Sequence, residues 1–155
     1  MVSSNDIIIT LGNKFRGDDG AGNLFGKLIM GHVPWEVFDG GDAPENITGL
    51  VLKSRPERIL IVDAMDFSGS PGDFKLVTSD ELGSFGVSTH STLKLFVDYL
   101  KMMTGAKLHI LGFQPKRLGL EDKISPEVSE SVRKAAKVFM KSENLSQVLH
   151  KLSKK

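Results

Sequence analysis

Two short runs of apolar, mostly β-branched residues, Ile7 to Leu11 and Ile59 to Val62, constrain the fold of this chain most tightly. Neither shows a polar/apolar alternation. Each therefore reads as a strand covered on both faces, and such strands belong to parallel sheets with helices on either side. The segment after the first run supports this reading: Ala21, Leu24, Phe25, Leu28 and Ile29 recur at helical spacing, and Gly31 with Pro34 marks their end.

The alternation continues along the chain. "WEVFDGG" reads as a strand that ends in an acidic glycine loop, and Glu45 to Leu52 reads as a short helix. "SPGDFKLV" predicts a turn at Pro71 and Gly72 and then a short strand, antiparallel at a sheet edge because no helical segment precedes it. Leu93, Phe96, Val97, Leu100 and Met103 predict the buried face of a helix that starts after "STHST", with Ser91 or Thr92 as its cap. "KLHILGF" is the next strand. Ser125 and Pro126 then supply a cap and a first helical residue, followed by the face Val128, Val132, Ala135 and Phe139. The Lys-rich end, with Leu145, Val148, Leu149 and Leu152, reads as a terminal helix that frays over 146–155. The expected fold is α/β: three layers, with a twisted, mostly parallel central sheet of about five strands and helices on both faces.

At 155 residues, 40% hydrophobic and 25% charged, the chain has the size and composition of one soluble globular domain, read here as 1–155. Twenty Lys and Arg against 19 Asp and Glu leave a net charge of +1, which gives no reason to expect nucleic acid or an anionic membrane as partner. The absence of cysteine excludes disulfides, thiolate metal sites and a cysteine nucleophile. No signal-peptide pattern and no long apolar span occur, so a cytoplasmic location is expected.

In a parallel sheet the binding crevice lies beyond the carboxyl ends of the strands. That rule selects the Gly12 to Asp19 turn, "DGG" at Asp39 to Gly41, "DAMD" at Asp63 to Asp66 and "GFQP" at Gly112 to Pro115. "GNKFRGDDGAG" has neither Walker nor dinucleotide-fold spacing, and Asp18 and Asp19 would repel a phosphate. One aspartate at a helix mouth is explained by capping. The second needs another role, and a cation is one candidate.

Asp63 ends a buried strand, so a parallel sheet brings it to the same edge as the Asp18/Asp19 turn. Of the four histidines, His32, His109 and His150 read as structural or solvated, whereas His90 lies in the Gly/Ser/Thr loop "GVSTHST" ahead of a helix. Two carboxylates and one imidazole would suit a divalent Zn, Ni, Co or Fe ion. A Ser-His-Asp hydrolase is the other option, although no Gly-x-Ser-x-Gly elbow is present.

"LGNKFRGDDGAG", "VFDGGDAPEN", "ILIVDAMDFSGSPGDF", "STHSTLKLFVDYL" and "LGFQP", in this order, resemble the nickel-iron hydrogenase maturation endopeptidases over roughly residues 6 to 140. The type serving formate-hydrogenlyase hydrogenases is the most similar. The resemblance implies an endopeptidase, a hydrolase that removes the C-terminal extension of the hydrogenase large-subunit precursor after nickel insertion. It also implies that the metal-recognising and catalytic positions fall on Asp19, Asp63 and His90, with Asp66 as an alternate ligand. Nickel would arrive with the precursor, and no resident zinc is expected. Asp39, Gly40 and Gly41 are expected to line the substrate cleft, and Asp18 to shape the turn. The protein is expected to work as a monomer. Two alternatives share the same residues: a nickel-sensing chaperone that does not hydrolyse, and a metallopeptidase with its own zinc.

Overall fold

The computed structural model describes residues 5–82, 91–120 and 123–153. The two apolar runs form adjacent parallel strands, β1 (Asp6–Leu11) and β3 (Arg58–Ala64), in register from Asp6 opposite Arg58 to Thr10 opposite Val62. On one side β1 pairs in parallel with β2 (Glu36–Gly41). On the other, β3 pairs in parallel with β5 (Lys107–Phe113), and β5 carries the antiparallel edge strand β4 (Phe74–Thr78). The order is β2-β1-β3-β5-β4, a five-stranded, mostly parallel sheet with the antiparallel edge strand expected from the sequence.

Side chains alternate across this sheet, so each central strand feeds two cores. On one face Ile7, Ile9, Ile59, Ile61 and Ile110 meet α2 (Thr48–Ser54) and α4 (Ser91–Thr104) through Val51, Leu93, Phe96, Val97 and Leu100. On the other, Ile8, Leu60, Val62, Leu111 and Phe113 meet α1 (Ala21–Ile29), α5 (Pro126–Met140) and α6 (Leu145–Ser153). Phe25 stands edge-on to Phe139 with ring centroids 4.8 Å apart, tying α1 to α5. Short helical turns at Gly17–Gly20, Pro44–Asn46 and α3 (Ser79–Leu82) complete the elements.

Three local expectations are corrected. Met103 is 49% exposed: the inward stripe of α4 ends at Leu100, and Met103 turns towards solvent at the last turn. The tail does not fray over its described part, because α6 continues to Ser153 and buries Leu145, Val148 and Leu152 in the second core. Ser125 does stand at the cap position of α5, yet its hydroxyl makes no capping bond. The cap expected of Ser91 or Thr92 concerns side chains outside the described residues. Among the described residues no helix is long and apolar enough to cross a membrane.

Candidate active site

The turn after β1 is built around Gly12 and a 3-10 turn. Gly12 has φ +144° and donates its N–H to Gly41 O at 2.9 Å, which joins the ends of β1 and β2. A Cβ on Gly12 would stand 2.1 Å from the carbonyl oxygen of Asp19, so only glycine lets the turn fold back on the strand end. Gly22 plays the matching part in α1: a Cβ there would lie 2.1 Å from Leu11 O and 2.7 Å from Val62 O. The helix thus rests directly on the carboxyl ends of β1 and β3.

The two adjacent aspartates have separate tasks, and neither caps α1. Asp18 is fully buried. Its carboxylate accepts N–H bonds from Lys116 (2.8 Å), Arg117 (3.1 Å) and Ser125 (2.6 Å), and the Ser125 hydroxyl bonds to it as well (2.9 Å). Its own N–H donates to Arg117 O at 2.9 Å. Ser125 thus directs its hydroxyl to the Asp18 carboxylate, as donor in a charge-assisted bond, and makes no capping bond with the first turn of α5. Asp18 shapes the turn, and it also fastens the segment between β5 and α5 to it.

Asp19 is partly exposed, and its Oδ2 accepts the Asn13 N–H at 3.0 Å. Asp63, next to last in β3 and opposite Gly112 of β5, is buried, with Oδ1 accepting the Ala64 N–H at 2.8 Å. Burial pushes the Asp63 carboxyl well above the ordinary carboxylate range, and the nearby charge of Asp19 pushes it further. The Ala64 N–H pulls the other way but is the weakest of the three influences. The fold therefore brings Asp19 and Asp63 together at the carboxyl edge, as the strand rule predicts.

His90 lies outside the described residues. The helix that follows it, α4, is joined at its far end to the start of β5 through Gly105 and Ala106, and its 14 residues span about 21 Å. Ser91, its first residue, therefore stands towards the carboxyl edge. Among the described residues no three His, Asp or Glu side chains are grouped to hold a metal. His32 and His150 are exposed, and half-buried His109 sits within β5, with its pKa depressed by burial and by Arg58 and Lys107.

Asp39 is exposed and lines a cleft of about 710 Å³, and its Oδ1 accepts the Gly41 N–H at 3.0 Å. Gly40 packs inward at a register shift between β1 and β2, where a Cβ would stand 2.7 Å from Leu11 Cδ2. Gly41 has φ +53° and serves the strand-end junction. Asp66 is exposed and held by Ser68 N–H (3.0 Å) and Gln114 Nε2 (3.1 Å). Gln114, within the selected "GFQP" segment, is the organiser of that loop: its Oε1 accepts from Phe67 N (2.9 Å) and Gly69 N (3.0 Å).

Comparison with known proteins places this architecture. Residues 27–142 match the HycI family model, described as hydrogenase maturation protease. The hydrogenase 3 maturation protease of Escherichia coli K12 is 34% identical over 131 residues, covering 82% of this chain and 83% of its own. The solution structure of the endopeptidase HycI from E. coli superposes with a TM-score of 0.78 at 33% identity, covering 88% of this chain and 89% of that one. The crystal structure of the NiFe hydrogenase maturation protease HycI from Thermococcus kodakarensis gives 0.79 at 28% identity, covering 88% and 90%. With sequence and fold matched over most of its length, the chain belongs to the hydrogenase maturation proteases and is a hydrolase of the endopeptidase class.

Proposed function

We propose that this peptidase removes the C-terminal extension of a nickel-iron hydrogenase large-subunit precursor, and that Asp19, Asp63 and His90 engage the nickel the precursor carries. The observation that supports this most is that the carboxyl ends of the neighbouring strands β1 and β3 bring Asp19 beside the buried Asp63, whose carboxyl is raised by burial and further by the Asp19 charge. Two carboxylates brought close at the strand ends form an oxygen-donor pair whose like charges a divalent cation neutralises. Oxygen and imidazole donors suit nickel, and two carboxylates with one imidazole leave positions for ligands from the precursor.

Each residue has a physical task in this reading. Asp19, oriented by the Asn13 N–H, meets the cation from the more open side. Asp63 meets it from the strand end. A carboxylate with raised proton affinity is also a better general base towards water than an ordinary one, so Asp63 is suited to take a proton during amide hydrolysis. His90 is assigned by the family resemblance. Nickel here is a feature of the substrate, and cleavage requires cation and peptide together.

The test is the intact mass of the precursor, nickel-loaded or nickel-free, after incubation with this protein. Loss of a short C-terminal peptide from the loaded form alone is the expected result, and Asp19→Asn, Asp63→Asn or His90→Ala should abolish it. Equal processing of nickel-free precursor, or an unimpaired triple variant, refutes the proposal. A stable complex with unshortened, nickel-loaded precursor would instead point to a chaperone.

A further inference from the structure

Beside the aspartate turn lies a cleft lined by basic side chains. Gly17 and Gly20, which flank Asp18 and Asp19, line the 710 Å³ cleft together with Lys14, Lys27 and Lys123. All three lysines are exposed, and none forms an ion pair with a carboxylate among the described residues. Asp39 is the acidic residue of that lining, and one of its oxygens is already engaged by Gly41. In a chain whose net charge is only +1, the cleft therefore concentrates positive charge.

Its shape follows from α1. Gly20, Asn23, Leu24 and Lys27 are spaced three and four apart, so they form one stripe on the helix surface. The stripe runs about 10 Å from the aspartate turn to Lys27, the reach of about three residues of extended peptide. Phe15, 67% exposed, adds an apolar wall beneath Lys14, whose Nζ lies 5.3 Å from the ring centroid. A groove of this length with cations along it and an aromatic at its mouth fits an extended, carboxylate-bearing peptide.

We infer that this cleft is a substrate subsite: it binds an acidic, extended segment of the precursor flanking the scissile bond, with Lys14, Lys27 and Lys123 as specificity-determining residues. This rests on the proposed function for the identity of the substrate. One turn then separates a pocket that attracts a cation from a groove that attracts carboxylates. A substrate is selected when it carries both at the right separation.

The experiment measures binding directly. Fluorescence anisotropy is recorded with the intact protein and a short fluorescein-labelled Glu/Ala peptide, against Gln/Ala and Lys/Ala counterparts. The Glu/Ala peptide should bind best and weaken with salt. Lys14→Glu combined with Lys27→Glu should weaken it about tenfold or more, since each exposed pair contributes up to about fivefold, while Lys→Arg at both positions retains it. In precursor cleavage the reversed variant should raise KM and leave kcat unchanged. Equal binding of Glu/Ala and Gln/Ala peptides, displacement by equimolar inorganic phosphate, or no response to charge reversal overturns the inference. Acidic-peptide binding that survives when the precursor is not processed refutes the proposed function and leaves standing only that the cleft binds acidic peptide.

Discussion

Replacing Asp18 by Asn changes almost no volume and tests what anchors the turn. The carboxylate meets three backbone N–H donors, from Lys116, Arg117 and Ser125, and one hydroxyl. An amide presents one acceptor and one donor in the same space. With its NH2 towards Lys116 and Arg117, two part-buried donors face a donor. With the amide reversed, the Ser125 N–H does. Each unsatisfied buried donor costs about 1–3 kcal/mol, and the surviving bonds lose their charge assistance. Neutralising a buried charge returns part of its desolvation energy, so the net loss centres near 3 kcal/mol.

For a chain of this size that corresponds to a fall in Tm of about 6–12 °C. Trp35 gives a built-in probe, because it is the chain's one tryptophan and its ring stands edge-on to Phe139 with centroids 6.3 Å apart in the second core. Urea unfolding followed by its fluorescence should show a lower midpoint. Ser125→Ala removes one donor and should cost about 1 kcal/mol. In the double variant the two losses should not add, since both act on one network. A Tm for Asp18→Asn within about 2 °C of the parent, or above it, refutes the assignment of Asp18 as the anchor.

Asp63, which the proposed function makes a cation ligand and general base, should behave in the opposite sense. Asp63 has a raised folded-state pKa, so the folded chain binds its proton more tightly than the unfolded chain does, and stability falls as pH rises from about 4 through the folded pKa. Asp63→Asn does not titrate; with chelator present it should match the parent near pH 4, exceed it in Tm at pH 7, and be inactive. A variant that loses stability relative to the parent as pH rises contradicts the burial of that charge. Gly22→Ala should destabilise by about 3 kcal/mol or more, because its Cβ meets two backbone carbonyl oxygens and α1 has to lift from the sheet. Urea midpoints unchanged in Gly22→Ala would mean that the helix does not rest on the strand ends.

How much of this was legible depended on the range of the interactions involved. The strands β1 and β3 were readable because unbroken apolar runs are local, and the reversed edge strand because no crossover helix precedes it. The meeting of Asp19 and Asp63 followed from parallel pairing alone, since both stand at carboxyl ends of neighbouring strands. Asp18 was legible as a shaper of its turn, but its partners were not: they lie 98 to 107 residues away, and no local pattern announces them. Ser125 shows the same limit from the other end, since Ser-Pro before an apolar face predicts a cap and a distant carboxylate takes the hydroxyl instead. The lysine groove draws on the turn, α1 and the approach to α5, so its charge is invisible in a total of +1.

The fold keeps two aspartates apart that are adjacent in sequence, and this division has a consequence for selectivity. Asp18 has its carboxylate engaged by four donors, which ties the turn to Lys116, Arg117 and Ser125. Asp19 and Asp63 stand close at the strand ends, where burying the Asp63 charge beside Asp19 lowers stability at neutral pH; in the proposed function this pair meets the cation that the precursor carries. The positive side chains of the groove line a cleft whose lining includes neither Asp19 nor Asp63. A peptide without a cation then gains little at the carboxylates, and a free cation gains nothing from the lysines. In the proposed reading, discrimination arises because one substrate has to present a cation to the carboxylates and acidic side chains to the lysines at the right separation.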